Sequence, residues 1–184
     1  MVESSTLLKN HLRQYIPAGM EAIFFKTFGF PNSMIARVVP IATDPLHIYA
    51  ETYSEWTADR LAVVGIPPKL YGLEWVTNQA ARLLRKLYTG NTAHAICAYL
   101  GWLSGYEYIH EAAGDPKLME HISAAVMETR EALYSELGFS REELLLYGES
   151  LLSRLVSPLL PDSLSRVIRQ PIRKLGKDER LIGP

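Results

Sequence analysis

A short segment near the middle of the chain carries three side chains that together could move a proton on and off a hydroxyl group. Lys86, Asn91 and His94 supply an amine, an amide and an imidazole within nine residues. On an uninterrupted α-helix, Asn91 would lie roughly 140° and His94 roughly 80° around the helix axis from Lys86. All three side chains would then share one half of the helix surface, where they could converge on a single ligand.

The same segment also has an explanation that involves no catalysis. Arg82, Arg85 and Lys86 are typical of the basic last turn of a helix, and Asn91 is a common cap for a helix that follows. A lysine amine titrates at about 10.4, so a catalytic base would need that pKa lowered by burial or by cations such as Arg82 and Arg85. The spacing alone leaves both interpretations open.

A second group of cations lies near the end of the sequence. Arg166 and Lys174 are eight residues apart with Pro171 between them, which favours a loop over one continuous helix. Arg169 and Arg173 belong to the same run, and arginine side chains match phosphate oxygens well. A solvated basic tail is the commoner meaning of such a run, and it lacks the interleaved aromatic side chains that would stack on nucleic-acid bases.

The composition is that of a globular domain with one substantial core. The 184 residues are 48% hydrophobic and 21% charged, with a formal net charge of −1. This balance provides no overall field toward nucleic acid or an acidic membrane. The sequence has neither a run of roughly 20 apolar residues nor the basic-then-apolar start of a secretory signal, so a cytoplasmic protein is expected.

The sequence lacks the patterns of two common kinds of cofactor site. The single cysteine, Cys97, lies in an apolar run and is expected to be buried. The histidines show no metal-ligand spacing, so no metal is expected; they are at positions 11, 47, 94, 110 and 121. No G-x-G-x-x-G turn follows a strand-like segment, so the chain lacks the usual means of holding a dinucleotide.

The residue pattern predicts a mainly α fold preceded by a few short β-strands. A first helix is expected at 5–17, capped by Ser4 or Ser5. Strands rich in Ile, Val, Phe and Tyr are expected at 22–28, 34–41 and 46–51. Helices separated by Gly and Pro, including Gly90, are expected at 53–64, 69–88, 92–113, 116–137, 140–156 and 161–169.

The helix predicted over 92–113 mixes large side chains on several sides with small ones. This mixture is typical of a helix that is buried on most of its surface at the centre of a bundle. His94 near its start would be partly buried and would need a hydrogen-bonding partner. Trp56, Trp75 and Trp102 are expected to pack in the core or in an interface.

Short motifs are spread in order along the whole chain. They are Gly29-Phe30-Pro31-Asn32, Asp44-Pro45-Leu46, Glu55-Trp56, Gly90-Asn91-Thr92-Ala93-His94-Ala95-Ile96, Ala98-Tyr99-Leu100-Gly101, residues 166–175 (RVIRQPIRKL) and residues 178–184 (DERLIGP). By these motifs the chain resembles the C-terminal half of the mannitol dehydrogenase family of zinc-independent, polyol-specific dehydrogenases. It is most similar to members that act on a phosphorylated polyol.

This resemblance implies an NAD-dependent oxidoreductase with a multi-helix domain like the C-terminal domain of 6-phosphogluconate dehydrogenase. Residues 1–52 would be the remnant of a sheet and linker that join a missing dinucleotide-binding domain, and residues 53–184 the helical substrate-binding and catalytic domain. NAD would be bound mainly by the missing domain, so the isolated chain would bind NAD(H) weakly and show no turnover. A truncated or split gene, an internal start or a cut fragment would each account for such a chain.

The resemblance also assigns roles to the candidate site residues. Lys86 would be the general base, while Asn91 and His94 would hold the substrate oxygen. Arg166 and Lys174 would face the polyol. Two departures from the family pattern affect the tuning of the lysine: Ala36 stands where an acidic residue is common, and Leu84 lies where a glutamate commonly precedes the lysine.

A sugar-alcohol phosphate as substrate would give Arg169 and Arg173 a reason to cluster with the other two cations. A dehydrogenase of an unphosphorylated polyol or of a hexuronate is an alternative, as is a non-catalytic helical interaction module or gene remnant. Residues 22–51, suited to a shared sheet, would leave apolar faces and an open edge. Self-association is therefore expected.

Overall fold

A computed structural model of the chain describes residues 3–41, 44 and 46–176. The chain divides into two compact units: the first comprises Met1–Arg37 and Thr52–Leu83, and the second comprises Val38–Glu51 and Leu84–Pro184. Most of the described residues are helical, and a three-stranded sheet lies in the first unit. The predicted mainly α fold with a few short strands is thus confirmed.

The first unit combines the small sheet with short helices. Its elements are α1 (Ser4–Leu12), a 3₁₀ turn (Arg13–Tyr15), α2 (Glu21–Thr27), β1 (Ser33–Ala36), β2 (Glu55–Asp59), a second 3₁₀ turn (Arg60–Ala62), β3 (Leu73–Val76) and most of α3 (Gln79–Arg85). Strand β2 is central, antiparallel to β1 and parallel to β3. Met34 and Ala36 in β1 are buried while Ile35 between them is exposed, as the two-residue period of a strand requires.

The aromatic residues before β1 form a helix where a strand was predicted at 22–28. Phe24 and Phe28 are four residues apart, and their ring centroids lie 4.8 Å apart at the end of α2. Side chains at this spacing meet on a helix and lie far apart on a strand. The strand prediction was wrong because it weighed the β-propensity of these residues above their helical spacing.

The remaining predictions for this region were also wrong, in whole or in part. The predicted strand at 34–41 ends at Ala36, and 46–51 forms no strand. The predicted helix at 53–64 is instead β2 with a 3₁₀ turn, and β3 occupies the start of the predicted helix at 69–88. Strand pairing joins residues distant in sequence, such as Ser33 and Ala58, and the local pattern does not reveal such partners.

The second unit is a set of helices packed around α4. Its elements are a π-helical segment (Lys86–Asn91), α4 (Thr92–Leu103), α5 (Ile109–Gly114), α6 (Pro116–Leu137), α7 (Arg141–Leu155), α8 (Leu164–Val167) and α9 (Pro171–Lys174). Helix α4 contacts α5, α6 and α8, and Ala93, Cys97 and Ala98 on α4 are fully buried. The predicted burial of Cys97 is confirmed, and this burial raises the pKa of its thiol to about 12.

Helices α6 and α7 begin and end within one residue of their predicted bounds. The Asp115 carboxylate accepts a hydrogen bond from the Lys117 N–H at 2.8 Å, and Gly138 with φ 72° ends α6. The Ser140 hydroxyl likewise accepts from the Glu143 N–H at 3.0 Å at the start of α7. These signals are local, and the sequence therefore displays them directly.

The helix predicted over 92–113 is broken in two. Helix α4 ends at Leu103, and Gly105 has φ 83°, a left-handed conformation that favours glycine, before α5 begins. Trp102 and Leu103 are 55% and 81% exposed. The prediction that this helix is buried on most of its surface was therefore wrong at this end. Of the two settings predicted for Trp102, its exposure excludes the core, and an interface stays a prediction.

Two smaller predictions differ from the structure. Helix α1 follows Glu3 and has no side-chain cap, so neither Ser4 nor Ser5 caps it. The helix predicted at 161–169 is limited to α8. In the part of the chain that the structure describes, no helix is both long and apolar enough to cross a membrane.

Candidate active site

The segment from Lys86 to Asn91 is a π-helix, so the backbone hydrogen bonds there span five residues and not four. Helical backbone continues through Gly90 into α4, and the predicted break at Gly90 was wrong. With this wider turn, residues five apart lie nearly one above the other. Lys86 and Asn91 are therefore closer to alignment on one face than the roughly 140° predicted for an α-helix.

The explanation without catalysis required Asn91 to cap a new helix, and the structure shows no such cap. Its backbone is helical, with φ −72° and ψ −29°, and its side chain makes no capping hydrogen bond. An asparagine within a helix has lower helix propensity than most residues. A π-turn within a helix is in addition frequent at functional sites. Both observations favour a role for the Asn91 amide outside the helix backbone.

The cations expected to tune Lys86 are paired with carboxylates. Arg85 is buried and its guanidinium lies 2.9 Å from the Glu143 carboxylate. Arg82 lies 3.2 Å from Glu55 and 3.3 Å from Glu74. These acidic partners offset the positive charge of both arginines, so the hypothesis that Arg82 and Arg85 lower the pKa of the lysine loses its support.

His94 is largely buried, and a hydrogen bond with the Gly90 backbone meets its predicted need for a partner. Its side chain is 20% exposed, and its Nε2 lies 3.8 Å from Oδ2 of Asp162. Burial lowers the pKa of His94; Asp162 and a hydrogen bond to the Gly90 backbone act in the opposite direction. The imidazole thus extends from α4 into a polar, enclosed environment within the second unit.

A cavity of about 30 Å³ lies beside His94 within the second unit. Its polar lining consists of His94, Glu51, Arg154 and Asp162. The Glu51 carboxylate accepts a hydrogen bond from the Val38 N–H at 2.6 Å and lies 3.5 Å from Arg154. A polar cavity of this size can hold about one water molecule. Lys86 and Asn91 are not among its lining residues.

The four C-terminal cations fall into an inner and an outer pair. Arg166 donates from both Nε and an Nη to the Asp162 carboxylate, with an Nε to Oδ1 distance of 2.5 Å. Lys174 is buried, and its Nζ donates to the Val167 carbonyl. The structure thus differs from the solvated basic tail that a run of cations usually forms.

The outer pair, Arg169 and Arg173, is exposed. Arg169 donates to the Arg166 carbonyl at 3.0 Å, and Arg173 donates to the Gln170 side chain at 2.8 Å. The predicted absence of one continuous helix is confirmed: Gln170, with φ 59°, and Pro171 separate α8 from α9. The motif at 178–184 lies outside the described residues.

Three residues of this region were not predicted from the sequence. Asp162, Glu51 and Arg154 are all at least three-quarters buried in their side chains and surround the cavity. The position of Asp162 four residues before Arg166 is a weak signal of an ion pair. No comparable signal links Glu51 with Arg154, because more than a hundred residues separate them in the sequence.

The described residues form neither a metal-binding group nor the usual dinucleotide-binding turn. Within 3–41, 44 and 46–176, no three His, Cys, Asp or Glu side chains are grouped to hold a metal ion. Strand β3 leads into α3 through Thr77 and Asn78, without a glycine-rich turn. The described residues therefore do not fit a dinucleotide in the usual strand, turn and helix arrangement.

Comparison with known proteins identifies the family. A model of the mannitol dehydrogenase C-terminal domain matches residues 81–184, and a model of the mannitol dehydrogenase Rossmann domain matches residues 1–72. The chain belongs to the mannitol dehydrogenase family. The resemblance inferred from the motifs is thereby confirmed.

Curated relatives and solved structures agree with this assignment. Mannitol-1-phosphate 5-dehydrogenases of Oceanobacillus iheyensis and Brevibacillus brevis are 39% and 37% identical to the chain over its whole length. The chain spans 48% of each relative.

Two solved structures share the fold. Mannitol 2-dehydrogenase of Pseudomonas fluorescens in complex with NAD and D-mannitol has a TM-score of 0.68 at 22% identity, covering 91% of this chain and 37% of that one. A D-sorbitol dehydrogenase in substrate-free form has a TM-score of 0.74 at 19% identity, covering 94% of this chain and 39% of that one.

Proposed function

We propose that this chain forms the substrate-binding and proton-transfer part of an NAD-dependent mannitol-1-phosphate 5-dehydrogenase. The reaction is mannitol 1-phosphate + NAD⁺ to fructose 6-phosphate + NADH. The observation that carries the proposal is the identity of 39% and 37% to two such enzymes over the whole chain. The proposal also includes the cytoplasm as location. Residues 53–184 would form a helical catalytic domain like that of 6-phosphogluconate dehydrogenase, and residues 1–52 the remnant of a sheet and linker that join a dinucleotide-binding domain.

In this proposal Lys86 removes the proton from the substrate hydroxyl. Asn91 and His94 donate hydrogen bonds to the oxygen as negative charge develops on it. The π-turn supports the assignment, because it brings Asn91 toward the face of Lys86. In the reverse direction, Lys86 returns a proton to the same oxygen.

The C-terminal cations bind the rest of the substrate. Arg166 and Lys174 are held inward and are suited to the polyol chain, while the exposed Arg169 and Arg173 are suited to a phosphate group. Arg169 donates to a backbone carbonyl and Arg173 donates to a neutral amide. A phosphate would offer both guanidinium groups a charged acceptor, which forms stronger hydrogen bonds than a neutral carbonyl or amide oxygen.

NAD is assigned mainly to protein outside this sequence, because the described residues lack a glycine-rich turn. A bound nicotinamide would supply the hydride acceptor. No residue of this chain is assigned to that step, and the proposal includes no metal. It implies that the chain alone binds NADH weakly and turns over no substrate.

The proposal is tested by joining this chain to the nucleotide-binding half of a mannitol-1-phosphate 5-dehydrogenase and following NADH formation. Lys86→Ala is expected to lower kcat by about 10²–10⁴ because the general base is lost. Asn91→Ala is expected to lower it by about 10²–10³. Lys117→Ala, at an exposed lysine of the same unit, serves as the matched control and should leave kcat unchanged. If Lys86→Ala kept kcat within about threefold, with the same pH profile, the base assignment would be wrong.

An unphosphorylated polyol or a hexuronate is the second candidate substrate. The observation in its favour is that Arg166 donates to the Asp162 carboxylate and the buried Lys174 donates to the Val167 carbonyl, so both cations already have acceptors inside the protein. The ratio of kcat/KM for mannitol 1-phosphate, mannitol and a hexuronate in the joined protein decides between them. Absence of turnover on all three would favour a non-catalytic helical module.

A further inference from the structure

Asp162 connects the two groups of candidate site residues that the sequence presents separately. One carboxylate oxygen lies 3.8 Å from Nε2 of His94, and the same carboxylate receives two hydrogen bonds from the Arg166 guanidinium. His94 and Arg166 are 72 residues apart in the sequence. The Asp162 side chain is only 4% exposed, so water contributes little to its solvation.

The backbone around Asp162 is held firmly enough to direct its carboxylate. Its carbonyl accepts from the Ile109 N–H at 2.9 Å, and its own N–H donates to the Leu160 carbonyl at 2.8 Å. A β-bridge joins the next residue, Ser163, to Tyr108. The loop before α8 is therefore attached to the start of α5 at Asp162 and Ser163, which fixes the backbone from which the carboxylate extends.

We propose that Asp162 is a positioning residue that sets the orientation of His94 and Arg166 for the substrate. The proposal rests on the proposed function, in which both of those residues contact the substrate. A buried carboxylate costs several kcal/mol in desolvation unless it is paired and hydrogen-bonded, and here two cationic or polar partners provide that compensation. The guanidinium is restricted by its two hydrogen bonds to Asp162. The imidazole is beyond hydrogen-bond distance of the carboxylate, at 3.8 Å, and is influenced by its charge.

Several charged groups act on His94. Asp162 faces it from the loop before α8, Arg166 from α8 and Arg154 from α7, while Glu51 lines the adjoining cavity. The carboxylate of Asp162 favours the protonated imidazole, whereas Arg166 and Arg154 disfavour it. Removal of the Asp162 carboxylate should therefore lower the pKa of His94, and removal of the Arg166 guanidinium should raise it.

This expectation can be tested on the chain as it is, with ¹³C-labelled histidine and a pH titration followed by NMR. Asp162→Asn should move the His94 midpoint downward, because a nearby negative charge is lost. Arg166→Gln should move it upward, because the Asp162 charge is no longer offset. Asp44→Asn, which removes an exposed carboxylate paired with His47, is the control and should leave the His94 midpoint unchanged.

The direction of the His94 midpoint shift in each variant decides the proposal. Opposite shifts in the two variants support the positioning role, whereas unchanged midpoints, or shifts in the same direction, overturn it. If Asp162→Asn fails to fold, as judged by circular dichroism, the Arg166→Gln arm alone decides by the sign of its shift. The titration needs neither substrate nor NAD, so a negative result would not contradict the proposed reaction. Likewise, unchanged turnover in Lys86→Ala would not contradict the effect of Asp162 on His94.

Discussion

At the scale of single residues, Arg85 illustrates how a full charge is accommodated next to the proposed base. Its guanidinium is paired with Glu143 and lies 4.2 Å from the ring centroid of Tyr147 and 5.1 Å from that of Phe139. The residue as a whole is only 4% exposed. The arginine therefore contributes apolar packing and a charge pair at once, since its long stem is buried with its head.

Arg85→Ala is expected to lower the free energy of unfolding by about 1–3 kcal/mol, because it removes buried contacts and leaves Glu143 without its cation. The loss stays below that of a fully buried pair, since the Glu143 side chain is 44% exposed and can be hydrated. Chemical denaturation followed by circular dichroism measures the change.

Arg141→Ala is the matched control for this prediction. Arg141 also pairs with a carboxylate, that of Glu131 at 2.7 Å, and also lies over an aromatic ring, that of Tyr134 at 4.1 Å. Its side chain, however, is 60% exposed. Its removal should change stability much less, and equal losses in the two variants would show that burial does not distinguish them.

At the scale of the elements, the packing of α4 depends on close approach at Gly101. A Cβ atom added there would lie 2.5 Å from the Cβ of Ala112 on α5 and 3.1 Å from Cδ1 of Leu164 on α8. Such separations are too short for carbon atoms, so α5 and α8 would have to move. The glycine thus sets the distance between the central helix and the two elements that flank Asp162.

Gly101→Ala should destabilise the chain by about 1–3 kcal/mol through overpacking. The gain in helix propensity, about 1 kcal/mol, opposes this loss but does not cancel it. Gly90→Ala is the control in the same continuous helix, where the nearest atoms to an added Cβ lie 4.0 Å away. It should be neutral or stabilising in the same denaturation experiment, and a comparable loss at both positions would contradict the packing explanation.

At the scale of the whole molecule, the first unit exposes an unusual amount of apolar surface. Leu12, Tyr15, Met20, Ile23, Phe24 and Phe28 contribute to the lining of an apolar pocket of about 300 Å³ between α1 and α2. Met20, Ile23 and Phe28 are each about half exposed. Contiguous apolar surface of this kind is uncommon on monomers and is typical of association surfaces and of ligand-binding grooves.

The chain is therefore expected to self-associate, and sedimentation velocity over a range of concentrations measures this directly. Substituting Met20→Gln and Ile23→Gln together should weaken the association, because it makes the pocket rim polar. Ile172→Gln is the matched control, since Ile172 is 91% exposed in the second unit and is not among the residues that line the pocket. A clean monomer at high concentration would refute the prediction.

The sequence by itself determined the family, the mainly α fold and the bounds of α6 and α7. Helix caps such as Asp115 and Ser140 act on backbone groups two or three residues away, so their meaning is visible in a short stretch of sequence. The candidate residues Lys86, Asn91 and His94 were also accessible, because their types and order form a recognisable motif. Their catalytic roles stay a prediction.

Only the tertiary structure decided which segments before residue 77 are strands, how the helix turns at Lys86–Asn91, and which carboxylate faces His94. Strand β2 becomes a strand because β1 and β3 pair with it across gaps in the sequence. Asp162 reaches His94 because α8 packs on α4, which brings together residues 68 positions apart. Local patterns cannot encode such pairings, since the free energy that selects them comes from burial and hydrogen bonding between distant parts of the chain.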